Sequence, residues 1–236
     1  MGTTEAIGRV IGVLAAPLAA MGSFLRGARL FHPDGLLYRA EVRAVADGEL
    51  ARSLEGPALV RLSSALWRDK PGVERPDILG VAVRFQPGAP TSQDLLFASF
   101  RRAITLPLGP LTTNVHDFLA NTYYGGLPFS APELGRVELR LVPEPVPTSG
   151  ADRREKLQRA VDAGHAVLWL EARALHVGAP WRRLAAVELR ELVPGGGAEL
   201  HMNPFHDGLG IRPVGLLQAV RSVVYPASQL GRGARR

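Results

Sequence analysis

The chain has 236 residues and a mass of 25.3 kDa, with 46% hydrophobic and 21% charged residues. This length suits one large domain or two small ones, and the apolar content is sufficient for a core, which excludes an intrinsically disordered chain. The sequence contains no cysteine. Disulfides, zinc–thiolate sites, iron–sulfur clusters and thiol catalysis are therefore excluded.

The positive charge of the chain raises nucleic acid as a partner, because the formal net charge is +6 and the pI is near 10.4. Only Lys70 and Lys156 are lysines, so nearly all of this charge is arginine, and it is interspersed with acids rather than clustered. Arginine pairs with carboxylates and other planar anions through a two-pronged fork. We therefore do not predict nucleic-acid binding.

The amino-terminal segment is apolar. Val10 to Leu25 carries no charge, which is typical of a signal-peptide core or a short membrane span. It is shorter than the roughly 20 residues that a spanning helix needs, Pro17 interrupts it, and Glu5 weakens the positive leader of a signal peptide. We expect residues 1–28 to form an apolar helix or arm in a cytoplasmic protein. Membrane association and an export signal are the alternatives left open.

Beyond residue 35 the hydrophobic pattern has mostly a period of two, which is typical of half-buried strands. Leu36 to Val45 alternates apolar and charged side chains directly after the turn Pro33-Asp34-Gly35. Similar runs occur at 58–63, 78–85, 94–100, 136–142, 166–175 and 184–193, with a weaker one at 198–202. Glycine and proline separate these runs.

Two segments have a helical pattern instead. The first covers 151–163 with Asp152 near its start, and the second begins at Pro213 and continues to Tyr225. No repeat or linker divides the chain. The predicted fold class is α+β, mainly β: one antiparallel β-barrel of about eight strands with flanking helices, over residues 29–236.

Arg221 and Tyr225 are four residues apart in the second predicted helix, so both project from one face. A guanidinium near a phenol lowers the pKa of the phenol, which helps the phenolate act as a ligand for ferric ion. Taken alone this spacing is common, and a structural role is the better interpretation.

The start of the predicted barrel holds further candidates. Arg29 precedes His32 by three residues just ahead of the first strand, and Arg61 and Ser63 lie in the second strand. A lone histidine is more often a hydrogen-bonding structural residue than a catalyst, and a lone arginine usually pairs with a carboxylate.

Taken together, these pieces resemble the haem catalase superfamily, which carries Arg-x-x-His-x-x-Gly, Val-Arg-Phe-Ser, Asp-Pro-Arg-Gly-Phe-Ala-Val-Lys-Phe and Arg-x-x-x-Tyr in this order. The corresponding residues here are Arg29, His32 and Gly35; Val60 to Ser63; Asp77 to Phe85; and Arg221 to Tyr225. The segment from Arg212 to Ser228 is more similar still to short bacterial catalase-like proteins. The resemblance covers about 29–100 and 211–232.

This resemblance implies a b-type haem and a role for each matching residue. Tyr225 would be the axial iron ligand, which is the ligand type of catalase, and Arg221 would stabilise its phenolate. His32 would act above the iron as the acid and base toward peroxide, with Ser63 fixing the tautomer of its ring. Arg29 and Arg61 would bind the haem propionates.

One departure from the family bears on activity. Catalases place an asparagine above the haem in Asp-Leu-Val-Gly-Asn-Asn, whereas Asp94-Leu95-Leu96 is followed here by Phe97-Ala98-Ser99. Either Ser99 or Ala98 takes the place of the carboxamide, and the shorter hydroxyl of Ser99 would reach a peroxide only through a water. Ser99 is retained as a catalytic candidate.

We expect an oxidoreductase that acts on hydrogen peroxide or organic hydroperoxides, with homo-oligomers left open. The alternatives are a non-catalytic haem-binding protein with a degenerate catalase fold, and an enzyme that rearranges fatty-acid hydroperoxides. Two further clusters, His201 and His206 with Asp207, and His116 with Asp117, favour structural roles over metal binding or acid–base catalysis.

Overall fold

The computed structural model describes residues 35–65, 75–101, 105, 108–195, 202–203 and 206–214. The helices are α1 (Glu49–Ser53), α2 (Gly109–Thr112) and α3 (Arg153–Asp162), with a 3-10 turn at Phe118–Ala120. The strands are β1 (Leu36–Ala44), β2 (Gly56–Ser64), β3 (Leu79–Phe85), β4 (Gln93–Ala98), β5 (Tyr123–Tyr124), β6 (Phe129–Ala131), β7 (Gly135–Pro143), β8 (Val167–Ala174), β9 (Arg182–Leu192) and β10 (Arg212–Pro213).

Eight of these strands close into an antiparallel barrel. Neighbouring strands follow the order β7-β5-β4-β3-β2-β1-β9-β8, and β8 pairs again with β7 to complete the ring. The short strands β6 and β10 extend the sheet beside β7. The predicted mainly β fold, an antiparallel barrel of about eight strands, is thereby confirmed.

Period-two alternation directs one face of each long strand into the barrel. Tyr38, Val60 and Val83 are in register across β1, β2 and β3, and all three are buried in the same core cluster. The charged residues between them point outward, as the alternation in the sequence predicts. Full burial of a large apolar side chain contributes about 1.5–3 kcal/mol, so this lining is the main source of stability.

Helix α3 begins and packs as its sequence predicts. The Asp152 carboxylate caps it by accepting hydrogen bonds from the backbone N–H groups of Arg154 and Glu155, both at 2.9 Å. Leu157 is fully buried in the core, and the hydroxyl of Tyr38 donates to Gln158 Oε1 at 3.1 Å. The helix is thus attached to the barrel through both apolar and polar contacts.

The segment 206–214, called the C-terminal strap below, is fastened to the start of β4. The buried Gln93 donates through Nε2 to the carbonyl oxygens of His206 (2.9 Å) and Ile211 (3.1 Å). Its Oε1 accepts the N–H of Ile211 at 3.2 Å, so one side-chain amide satisfies both backbone groups of a core residue. Gly208 packs against Thr91 with no room for a Cβ.

The helix predicted to begin at Pro213 does not begin there. Arg212 and Pro213 form β10 on β6, and the next residue, Val214, donates its N–H to the Pro128 carbonyl at 2.8 Å. Proline is tolerated because β10 is an edge strand of only two residues. The rest of that predicted helix, the predicted arm over 1–28 and most of the predicted strand at 198–202 lie outside the described residues. Within the described part, no helix combines the length and apolar character needed to cross a membrane.

Candidate functional site

The outer face of β2 and β3 is unusual because much of it is buried although it points away from the barrel core. In β2, Val60 and Leu62 belong to the core, whereas Arg61 and Ser63 alternate to the other side. Both of these outward residues are buried, with exposures of 5% and 3%. The β2 part of this face is therefore shielded from solvent, whereas Leu96 and Ala98 in β4 are partly exposed.

Small residues form a row across this outer face. Ser63 in β2 is in register with Gly80 in β3, and Gly80 is in register with Ala98 in β4. The neighbouring row on this face, two residues along each strand, is Arg61, Ala82 and Leu96. Ala82 is fully buried. Because these side chains are short, this part of the sheet, called the small-residue face below, presents nearly bare backbone.

The hydroxyl of Ser63 is an exception to the usual pairing of buried polar atoms. Within the part of the chain that the structure describes, its buried Oγ has no hydrogen-bond partner. Leaving a buried hydroxyl in this state costs about 1–3 kcal/mol, so such a group calls for an explanation. The partner that the family resemblance implies, His32, lies outside the described residues together with Arg29, Arg221 and Tyr225.

Gly35, the glycine of the first motif, lies directly against Arg61. A Cβ at position 35 would be 2.8 Å from Arg61 Nε and 3.0 Å from the carbonyl oxygen of Leu62. Any other residue would displace the Arg61 side chain or the backbone of β2. Gly35 and Arg61 belong to two separate sequence motifs, and the fold brings them into contact.

Ala98, and not Ser99, shares the row with Ser63. The Ser99 hydroxyl accepts the N–H of Leu79 at 3.0 Å and lies 2.7 Å from the Thr113 hydroxyl. These bonds hold it in a structural position at the end of β4. The sequence left Ser99 and Ala98 as alternatives, and the strand register separates them.

A buried ion pair lies on the same outer face, in the row that follows Ala82 and Leu96. Arg84 binds Asp94 through Nε and Nη2, both at 2.7 Å, and the side chain of Asp94 is fully buried. The hydrogen bond to Asp94 raises the pKa of Arg84 above its ordinary value, against the effect of burial. Asp94 also accepts the N–H of Asn203 at 2.7 Å and lies 3.4 Å from Nδ1 of His206.

Sequence reasoning missed this network because its members are ten and more than one hundred residues apart. Both Arg84 and Asp94 stand inside the segments whose sequence resembles catalases, but their contact follows only from the pairing of β3 with β4. Its role here is to attach the C-terminal strap to the barrel.

The two lesser candidates have structural roles. Asp117 caps the 3-10 turn by accepting the N–H of Leu119 at 2.7 Å, and His116 accepts a hydrogen bond from Lys156 through its carbonyl. Asp207 pairs with Arg212. No group of three potential metal ligands occurs among the described residues.

The similarity of this chain to known proteins lies in its fold. No protein-family model matches the sequence, and the curated proteins yield no match. Among solved structures, the fold is similar to that of catalase A from Saccharomyces cerevisiae, with a TM-score of 0.56 and 13% sequence identity over 86% of this chain. The chain spans 61% of the length of that yeast protein. At this identity the similarity establishes a catalase-like fold.

Proposed function

We propose that this chain binds a b-type haem and acts as an oxidoreductase on hydrogen peroxide or organic hydroperoxides. The observation that carries the proposal is the buried hydroxyl of Ser63, which lacks a partner in the described part of the chain and lies on the small-residue face beside Arg61. The catalase-like fold of the barrel supports the same assignment.

The described residues fit such a cofactor in two respects. Gly80, Ala82 and Ala98 leave the sheet surface nearly free of side chains, which suits close approach of a flat aromatic ring. Arg61 is a buried guanidinium at the border of this surface, and its fork suits the carboxylate of a haem propionate. A face lined by large side chains would not accept the ring.

The remaining roles fall to residues outside the described ranges. Tyr225 would hold the iron through its phenolate oxygen, and Arg221, four residues earlier in the sequence, would favour the deprotonated phenol by its positive charge. Arg29 joins Arg61 in binding propionates. The haem, when bound, supplies a ferric iron that exchanges electrons with the peroxide.

His32 and Ser63 provide the proton chemistry. His32 would take the proton from the peroxide oxygen that stays at the site and return it to the other oxygen, which leaves as water or an alcohol when the O–O bond breaks. The bound haem would supply the two electrons for this cleavage, and a second peroxide molecule or another reductant would restore them. Ser63 bonds the other ring nitrogen of His32 and so keeps the correct nitrogen free for this transfer. In the haem-loaded protein this bond would also satisfy the buried Oγ.

Ala98 favours a second candidate function, which is haem binding without rapid peroxide dismutation. The residue in register with Gly80 and Ser63 offers a methyl group where a carboxamide would position the peroxide. A site of this kind would carry haem with slow turnover, or would rearrange a fatty-acid hydroperoxide whose apolar chain tolerates the methyl group.

A spectroscopic experiment tests the haem site. The purified chain is incubated with hemin, and the Soret band is recorded for the wild type, Tyr225→Phe and the control Tyr124→Phe, which alters a half-buried tyrosine in β5. We expect the Soret band of protein-bound haem in the wild type and the control. In Tyr225→Phe this band should be lost or shifted. Absence of specific haem uptake by the wild type would overturn the proposal.

A kinetic experiment separates the two functions. Peroxide consumption by the haem-loaded protein is compared for the wild type, His32→Ala and His176→Ala, whose altered histidine is exposed on the β8–β9 hairpin. Turnover lost only in His32→Ala supports the oxidoreductase. Normal haem loading without turnover supports the binding protein, and product analysis with a fatty-acid hydroperoxide identifies rearrangement.

A further inference from the structure

Tyr124 lies on the same outer face of the barrel as the proposed haem site. In β5, Tyr123 is buried in the barrel core, so the alternation of the strand directs Tyr124 to the outer side. Tyr124 is in register with Ala98 of β4, and Ala98 is in register with Gly80 of β3. The row that begins with Ser63 on the small-residue face therefore continues to Tyr124.

The position of Tyr124 is fixed although β5 has only two residues. On one side, the fully buried Tyr123 donates its hydroxyl to the carbonyl oxygen of Phe118 at 2.6 Å. On the other side, Gly125 lies so close to Phe129 that a Cβ at position 125 would be 2.5 Å from Cε2 of the ring. Because the backbone is anchored on both sides, the strand presents the side chain of Tyr124 from a fixed place.

The hydroxyl of Tyr124 is available as a hydrogen-bond donor. The side chain is half-buried, and its hydroxyl bonds to no other residue in the described part of the chain. Its neighbour on the other side, Arg140, is already bound, since its Nε donates to Glu171 at 2.7 Å and its guanidinium lies 4.1 Å from the ring centre of Trp181. Arg140 therefore leaves the phenol free for a ligand.

The other surroundings of Ala98 are apolar or already bonded. Ala65, Ile78 and Phe100 form a small buried cluster, and Ala98 packs against it. The hydroxyl of Ser99 is held by its two structural hydrogen bonds. A polar ligand beside Ala98 therefore needs a donor from the neighbouring strand.

The phenol of Tyr124 can reach the space in front of the Ala98 methyl group. The Cβ atoms of directly opposite residues in an antiparallel pair are about 5 Å apart, and an aromatic side chain reaches even the diagonal positions beyond. A carboxamide at position 98 would place its N–H group in the same space. The neighbouring strand thus offers the donor that position 98 lacks.

We propose that Tyr124 binds the peroxide substrate by donating a hydrogen bond from its phenol to a peroxide oxygen beside Ala98. This inference rests on the proposed function, because the haem is what brings a peroxide to this face. Ser63 and Arg61 then serve the acid–base group and the cofactor, whereas Tyr124 serves the substrate. The phenol keeps its proton, and Tyr124 forms or breaks no covalent bond.

A fluoride titration of the haem-loaded ferric protein tests this hydrogen bond without turnover. Fluoride binds ferric iron and is a strong acceptor, so its dissociation constant, followed by visible absorption, reports a donor beside the iron. Tyr124→Phe is compared with Tyr38→Phe, which removes a phenol hydroxyl on the core side of the barrel. We expect fluoride to bind about tenfold more weakly to Tyr124→Phe, and within about twofold of the wild type to the control.

Peroxide turnover and a rescue variant complete the test. The kcat/KM for hydrogen peroxide should fall about fivefold in Tyr124→Phe, while the Soret band stays as in the wild type. Adding Ala98→Asn to this variant should recover most of the loss in both fluoride affinity and turnover, because the amide donates into the same space. No recovery would contradict the placement of the phenol beside position 98.

The outcomes separate this inference from the proposed function. If the wild type takes up no haem, the proposed function fails and the role of Tyr124 fails with it. If every variant takes up haem and Tyr124→Phe equals the wild type in fluoride affinity and turnover, only the role of Tyr124 is overturned. Loss of haem uptake or of the circular dichroism of the folded chain in Tyr124→Phe would overturn it in favour of a structural role.

Discussion

Ser63 and Ala98 occupy one row on the outer face of the barrel, each in direct register with Gly80 between them. With strands about 4.8 Å apart, the two positions are about 9.6 Å apart, so they can border one ligand of the size of a haem. One of them carries a hydroxyl and the other only a methyl group. This difference makes Ala98 the position at which the activity of the proposed site can be changed.

Ala98→Asn is therefore expected to raise peroxide turnover of the haem-loaded protein. One added hydrogen bond to the peroxide, worth about 0.5–1.5 kcal/mol, corresponds to roughly a twofold to twelvefold increase in rate. Initial rates of oxygen release measure the effect. Ala98→Leu has a similar volume without the amide, and an equal gain in that variant would contradict the explanation.

Because Gly35 contacts Arg61, replacing this glycine even by alanine is expected to destabilise the protein. In Gly35→Ala the new methyl group would meet Arg61 Nε and the Leu62 carbonyl at 2.8 and 3.0 Å. We expect a loss of about 1–3 kcal/mol in the free energy of unfolding, because a packed site must shift to accept it. Urea denaturation measures the loss, and weaker haem uptake should accompany it.

A double-mutant cycle identifies the source of that cost. In an Arg61→Ala background, the contact with Nε is absent, so the penalty of Gly35→Ala should shrink and leave only the part due to the Leu62 carbonyl. If Gly35→Ala destabilises the Arg61→Ala background as much as the wild type, the strain comes from the Leu62 carbonyl and not from Arg61.

The strands could be predicted from the sequence because their signal is local. In β1 and β2 the alternation of apolar and polar residues is visible without any partner strand, and the inward and outward faces follow from it. The two- and three-residue strands β5, β6 and β10 have no period to detect. They form because longer neighbours offer free hydrogen-bonding edges.

The candidate site could be predicted only in part, because it depends on register. That Arg61 and Ser63 share a face follows from their spacing of two. That Ala98 and not Ser99 joins them depends on the pairing of β3 with β4, which the sequence does not reveal. The same holds for Arg84 and Asp94, whose ion pair joins two strands.

The raised pKa of Tyr38 predicts that the protein loses stability in alkaline solution. Burial, and then the nearby carboxylate of Asp162, raise the pKa of Tyr38 to about 12, with Arg154 opposing them. The unfolded chain releases this proton near pH 10, the folded chain only near 12. The contribution of Tyr38 is therefore complete below pH 10 and is lost as the pH rises toward 12.

Urea denaturation of the wild type and Tyr38→Phe from pH 8 upward tests this effect. The variant lacks the hydrogen bond to Gln158 and should be about 1 kcal/mol less stable at pH 8, with a smaller decline above pH 10. Burial also raises the pKa of Tyr123, which is retained in both proteins, so the comparison isolates the part of the decline that belongs to Tyr38. Parallel curves for the two proteins would show that another group causes the decline.

The effects of alanine substitution on the free energy of unfolding should distinguish Ser63, a functional residue, from Ser99, a structural one. Its buried hydroxyl has no partner in the described part of the chain, so Ser63→Ala should leave the haem-free protein as stable as the wild type or raise its free energy of unfolding by up to about 1 kcal/mol. Ser99→Ala, which removes a hydroxyl bonded to Leu79 and Thr113, should instead cost about 1–3 kcal/mol.

The haem-loaded protein should respond in the opposite way. If Ser63 orients His32, its removal allows the imidazole to adopt the wrong tautomer, and peroxide turnover should fall about tenfold while haem affinity stays nearly constant. Stopped-flow peroxide consumption and a hemin titration measure the two quantities separately. A serine kept only for packing would show no loss of turnover, since an alanine fills nearly the same volume.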